Sequence, residues 1–185
     1  GWLELQTPPI EGNLRAVTQY LEIIRQAANA LTILTNGPLT ERRFLTDFAE
    51  STQALERPEM YAGLLGLLGS PQVEVSTLHD WVVDWEKDFN AIPASERPIQ
   101  LHLYRRNYYL RAFEVQLNSN RPKNVLWPLL KTWLLTASST TTNWHDVYHQ
   151  VGLLGPAFSE RISELDLYLE QVEEIIETWA REHGA

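Results

Sequence analysis

The chain has 185 residues, of which 44% are hydrophobic and 21% charged, with no cysteine and a formal net charge of −9. Such a length and composition suit one soluble domain with its own hydrophobic core, and the missing cysteines exclude disulfides, zinc thiolates and cysteine nucleophiles. No apolar run reaches the roughly 18 residues of a membrane span and no charged-then-apolar leader is visible. A cytoplasmic protein is therefore expected, and its acidic balance speaks against general binding to duplex nucleic acid.

In chain order, Gly1 to Pro9 reads as an arm that Pro8 and Pro9 keep out of the first helix. From Glu11, Leu14, Val17, Leu21, Ile24, Ala28 and Leu31 alternate spacings of three and four, which places them on one helical stripe. Asn36-Gly37-Pro38 should stop this helix, and Thr40 offers an N-cap for a second one carrying Phe44, Leu45, Phe48 and Ala49. Pro58 suits the first turn of a third helix, which ends at Gly69-Ser70-Pro71 and whose Gly63 and Gly66 would permit close packing. Ser76 or Thr77 is the expected cap of the helix that turns Leu78, Trp81, Val82, Trp85 and Phe89 inward. After a loop over 93–98, a central helix is predicted from about Ile99 to Asn118, with Leu101, Tyr104, Tyr108, Ala112 and Val115 on one side and Leu103, Leu110, Phe113 and Leu117 nearly opposite. A helix apolar on two sides is expected to lie between others. A buried helix over Val125 to Leu134, a polar loop from Ser138 to Asn143, and a short helix from Trp144 to Val151 capped by Asn143 follow. The last helix repeats Phe158, Ile162, Leu165, Leu169, Val172, Ile176 and Trp179 at spacings of four and three. The predicted class is all-α: a single domain over 1–185 built as an up-and-down bundle of four to five long helices with shorter ones attached.

Charge is segregated along this chain. Arg97, Arg105, Arg106, Arg111, Arg121, Lys123 and Lys131 stand against Glu114 alone, so 97–131 carries +6 and the remainder −15. A guanidinium fork matches phosphate and carboxylate, and Tyr104, Tyr108, Tyr109, Trp127 and Trp133 are available for stacking on a base. His102, Arg105, Arg106, Asn107, Arg111 and Lys131 are the candidate ligand-binding residues. The competing expectation is that the arginines pair with acids of neighbouring helices, such as Asp84, Glu86 and Asp88 or the row Glu170, Glu173, Glu174 and Glu177. Arg106 and His102 fall among apolar positions, where an unpaired charge would be costly, so Arg106 needs a partner.

His145-Asp146-Val147-Tyr148-His149 places two imidazoles at i and i+4 on one helical face, a relative of the H-E-x-x-H pattern with Asp in place of Glu. A divalent metal held by His145 and His149, with a third ligand from His79, His102 or Asp80, is the alternative cofactor expectation; otherwise no cofactor is expected.

Arg106-Asn107 followed by Arg111, with an apolar helix behind, resembles the motif region of the higher eukaryote and prokaryote nucleotide-binding helical domains, and of the helical substrate-binding domains that accompany small nucleotidyltransferases. That family's nuclease motif is an Arg followed four to six residues later by a His. Here Arg111 takes the place of the His, so the resemblance implies binding and no nuclease chemistry. His79 with His145 and His149 is similar to the ligand pattern of metal-binding four-helix bundles of the damage-inducible type, which implies a metal-dependent hydrolase or transferase. The favoured expectation is a non-catalytic accessory domain that recognises an anionic small molecule, a nucleotide or a partner catalytic domain. A third expectation is homodimerisation through the last helix.

Overall fold

The apolar spacings translate into helices throughout. The computed structural model describes residues 10–137 and 143–184, with the backbone alone for 10–13, and among these residues it holds eight α-helices and no strand. The protein is all-α. Three helices are long, α1 (Ile10–Thr32), α4 (Val75–Ala91) and α8 (Ala157–His183), at 23, 17 and 27 residues. The others, α2 (Phe44–Ala54), α3 (Pro58–Leu67), α5 (Arg106–Leu117), α6 (Leu126–Leu134) and α7 (Asn143–Gln150), have 8 to 12. None is long and apolar enough to cross a membrane. The predicted arm and most of the predicted polar loop, residues 1–9 and 138–142, lie outside the described residues.

The chain gathers into two compact units, one from residues 10–67 with 156–184 and one from the described part of 68–155. In the first unit α8 packs on α1 and α3, and α2 on α1 and α3. The α1 stripe is buried at Val17, Leu21, Ile24, Ala28 and Leu31, and it is widened by Tyr20. The Tyr20 hydroxyl donates to the Leu67 carbonyl at 2.9 Å and its ring meets Phe158 edge-on at 5.5 Å. Tyr168 of α8 donates to the Met60 carbonyl at 3.2 Å. Its ring lies where a side chain on Gly63 would come within 3.2 Å, whereas Gly66 faces open space. Of the two glycines expected to permit close packing, Gly63 is therefore the one that does so.

Between α2 and α3 the chain turns through a Schellman motif. The N–H of Arg57 donates to the Thr52 carbonyl at 2.8 Å and that of Glu56 to the Gln53 carbonyl at 3.0 Å, which meets two carbonyls left over at the helix end. The motif needs a left-handed residue, and Glu56 supplies it with φ 59 where glycine carries no steric cost. Glu56→Gly is therefore expected to stabilise the protein by about 1 kcal/mol, read as a higher denaturation midpoint at unchanged slope. A lower midpoint would mean that the Glu56 side chain contributes more than its backbone costs.

In the second unit α4 is the hub, packed against α5, α6 and α7. Its buried face is the predicted one, Leu78, Trp81, Trp85 and Phe89, with Asp88 added; Val82 is only half-buried. Trp85 lies among three rings, Phe89 at 5.0 Å, Tyr109 at 5.7 Å and Phe113 at 4.9 Å. Asp88 is 3% exposed and accepts from the indole N–H of Trp133 at 2.7 Å and from Asn143 Nδ2 at 3.0 Å. Tyr148 of α7 donates to the Leu130 carbonyl at 2.6 Å. Burial pushes the phenols of Tyr20, Tyr148 and Tyr168 well above the usual range, in keeping with tyrosines that serve as hydrogen-bonded core.

The central segment departs from its predicted form. The α-helix starts at Arg106, preceded by two 3-10 turns, Ile99–Leu101 and Leu103–Arg105, with His102 between them in an extended conformation. Arg97 explains the break. Its guanidinium donates to the carbonyls of Ile92 at 2.8 Å and Leu101 at 3.1 Å and lies 5.0 Å over the Phe89 ring. The Leu101 carbonyl, which an α-helix would offer to Arg105, is thus engaged, and the Arg105 N–H turns to His102 instead. Two-sided burial is also overturned. The buried stripe is Ala112, Phe113, Gln116 and Leu117, spaced as one helical face, while Val115, Leu103 and Tyr104 are 70%, 57% and 91% exposed.

Several predicted caps shift as well. Thr40 precedes a turn rather than the helix, which opens after Arg43. Ser76 and Thr77 lie inside α4, which opens after Glu74, and Asn143 lies inside α7 with its side chain spent on Asp88.

Candidate functional site

The basic stretch 97–131 lies wholly in the second unit, and most of its charges are used to hold that unit together. Arg97 clamps the loop before the 3-10 turns. Arg106 Nη2 donates to Glu86 of α4 in an ion pair whose partners are 38% and 28% exposed. This answers the requirement set by its apolar neighbours with Glu86, one of the acids expected to pair with the arginines. The Arg106 Nε remains buried without a partner. Lys123 donates to the Ser70 carbonyl at 2.7 Å, and the Lys131 ammonium stands 5.6 Å from the Trp127 ring centre, a cation–π contact. The six candidate ligand residues therefore divide: Arg106 and Lys131 have structural partners, and His102, Arg105, Asn107 and Arg111 do not contact them in one pocket but line an open face.

That face has a definite composition. Tyr108, Arg111 and Val115 recur at spacings of three and four along the exposed side of α5, with Asn107 beside them, and Tyr104, Arg105, His102 and Leu103 continue the surface through the 3-10 turns. His102 and Tyr104 lie ring against ring at 5.0 Å. Arg105 and Arg111 are exposed and hold no ion pair or side-chain hydrogen bond among the described residues. Glu114, the one acid of the stretch, is exposed on the same strip of the helix as Asn107 and Arg111, three residues beyond Arg111. The result is two unpaired guanidinium groups set among solvent-facing tyrosines and aliphatic side chains. A surface of this kind offers bidentate hydrogen bonds to carboxylate or phosphate and ring faces for stacking.

Comparison with protein-family models, with curated proteins and with solved structures finds no match to this chain. The reading of the site therefore rests on its own chemistry.

His145 and His149 do face each other, with ring centres 4.6 Å apart, and the His149 ring packs against Gly155. His79 does not join them. Among the described residues no group of three or more His, Asp or Glu side chains is placed to hold one metal ion. Spacing along one helix brings the pair together, but a third ligand has to come from another element, and α4 turns His79 to the surface. Of the five aromatic residues expected to be available for stacking, Tyr104 and Tyr108 are exposed and Tyr109 is half-buried, while Trp127 and Trp133 are fully buried in the core.

Proposed function

We propose that this protein is a non-catalytic binding module whose recognition surface is the cationic aromatic face formed by Tyr104, Arg105, Tyr108 and Arg111, and whose partner is an anionic surface of another macromolecule. The observation that carries this reading is the division among the basic residues. Arg97, Arg106, Lys123 and Lys131 are engaged within the fold, while Arg105 and Arg111 stand unpaired beside a 91% exposed tyrosine. Exposed aromatic and Arg side chains are the groups that most often anchor interfaces. An open face supports a partner surface over an enclosed nucleotide or other small ligand.

Titration with poly-L-glutamate and, separately, with ATP tests this. Arg105→Ala with Arg111→Ala is expected to weaken poly-L-glutamate binding at least about tenfold, equal to about 1.4 kcal/mol, while thermal unfolding stays within about 0.5 kcal/mol of wild type. Arg106→Ala is expected to act differently, lowering stability through the loss of its Glu86 partner. Absence of any polyanion binding near 20 mM salt, where screening is weak over about 20 Å, overturns the reading.

A further inference from the structure

The cationic aromatic face has a chemical counterpart in the same chain. In the first unit, two adjoining hollows of about 270 and 200 Å3 share Arg57, Ile175 and Thr178, and so form one groove along the last turns of α8. Its lining mixes the apolar Met60, Ile175 and Trp179 with the polar Gln171 and Thr178 and the acids Glu56, Glu59, Glu174 and Glu182. All four carboxylates are exposed, and none holds an ion pair or a side-chain hydrogen bond among the described residues; the same is true of Arg57.

We infer that the cationic aromatic face of one copy docks into the acid-lined groove of a second copy, so that the chain self-associates through unlike faces. This rests on the reading of the face as the recognition surface and names its partner. Three features agree. The unpaired Arg105 and Arg111 meet unpaired carboxylates, the combination that gives charge-assisted, bidentate bonds. The exposed Tyr104 and Tyr108 rings find apolar contacts at the half-buried Ile175 and Trp179 of the lining, which a free polyanion does not supply. The unpaired Arg57 of the groove, otherwise a like charge in the wrong place, takes a tyrosine ring face as its partner.

The charge of the whole molecule bears on where association is seen. Two copies at −9 each repel at long range. At about 0.1 M salt the Debye length is about 10 Å, so that repulsion is screened while contacts at ion-pair distance are not; at about 1 M it is about 3 Å and the contacts weaken too. A contact between unlike faces is heterologous. It leaves one face free at each end and therefore either closes into a ring or continues beyond a dimer.

Sedimentation velocity of the full chain between about 10 and 500 μM at about 0.1 M salt is the test. The expected result is a weight-average sedimentation coefficient that rises with concentration and falls back at about 1 M salt. Reversing the face (Arg105→Glu with Arg111→Glu) or the groove (Glu174→Lys with Glu182→Lys) is expected to abolish association, and an equimolar mixture of the two variants is expected to restore it, with the two variants alternating, because the wild-type face meets the wild-type groove and the reversed face meets the reversed groove. All four positions are exposed, so circular dichroism should show both variants folded. A wild-type chain that stays monomeric throughout overturns the inference, as does association that either reversal leaves intact or a mixture that stays monomeric. If the chain is monomeric yet poly-L-glutamate still binds through Arg105 and Arg111, self-association alone has failed. If neither occurs, the reading of the face has failed with it.

Discussion

Trp85→Ala is expected to destabilise the second unit by about 3–5 kcal/mol, the range for removing a large buried aromatic side chain. Trp85 is fully buried and is the ring on which α4 and α5 meet, since Phe113 and Tyr109 of α5 both contact it edge-on. Truncation removes the apolar surface and leaves a cavity that three neighbouring rings cannot collapse into without changing rotamer. The indole also carries a liability, because its Nε1 is buried without a hydrogen-bond partner. Trp85→Phe deletes that orphan donor along with part of the volume, so the two effects oppose each other. It is expected to cost less than half as much as Trp85→Ala. Chemical denaturation followed by far-UV circular dichroism distinguishes these outcomes. Equal losses for the two variants would mean that the N–H is satisfied in solution and that the indole contributes through it.

Asp88→Ala is the second large effect, expected at about 2–4 kcal/mol from the penalty for stranding buried donors. The carboxylate is the acceptor for Trp133, which is fully buried and has no route to water, and for Asn143, which is half-buried. Losing the acceptor therefore strands the indole N–H more severely than the amide. Asp88→Asn should recover part of the loss, since its Oδ1 can still accept from the Trp133 indole while its NH2 group meets the Asn143 donor. Trp133→Phe removes the donor from the other side and leaves the buried charge one bond short, at a cost of about 1.5–3 kcal/mol. If the pair acts as a unit, Asp88→Ala with Trp133→Phe falls short of the sum of the single losses by about 1 kcal/mol or more. Strict additivity would show that the 2.7 Å contact contributes little of its own.

Arg106 illustrates how a functional reading and a structural one separate. At the level of residue type Arg105, Arg106 and Arg111 are equivalent, and all three were candidates for holding an anion. Position decides among them. Arg106 starts α5 on the side facing α4, where Glu86 meets it, and the same turn of chain points Arg105 to solvent. Like the pairing, the inward turn of Gln116 and the outward turn of Val115 cannot be read from hydropathy, because a helix with apolar residues all round contains several stripes of comparable strength. Which stripe is buried depends on where the neighbouring helix lies.

The sequence by itself determined the all-α class, the burial stripes of α1 and α4, and the stops at Gly37-Pro38 and Gly69, because spacing and punctuation act through contacts within a few residues. It also located the basic stretch 97–131, since charge is a property of composition. The tertiary structure decided how that stretch is disposed. Arg97, drawn to the carbonyls of Ile92 and Leu101, shortens the central helix to Arg106–Leu117. Packing of one side of α5 against α4 leaves Tyr108 and Arg111 in solvent, and the 3-10 turn before it exposes Tyr104 and Arg105 next to them. Those outcomes depend on partners 4 to 20 or more positions away along the chain, and such pairings exist only once the helices are packed.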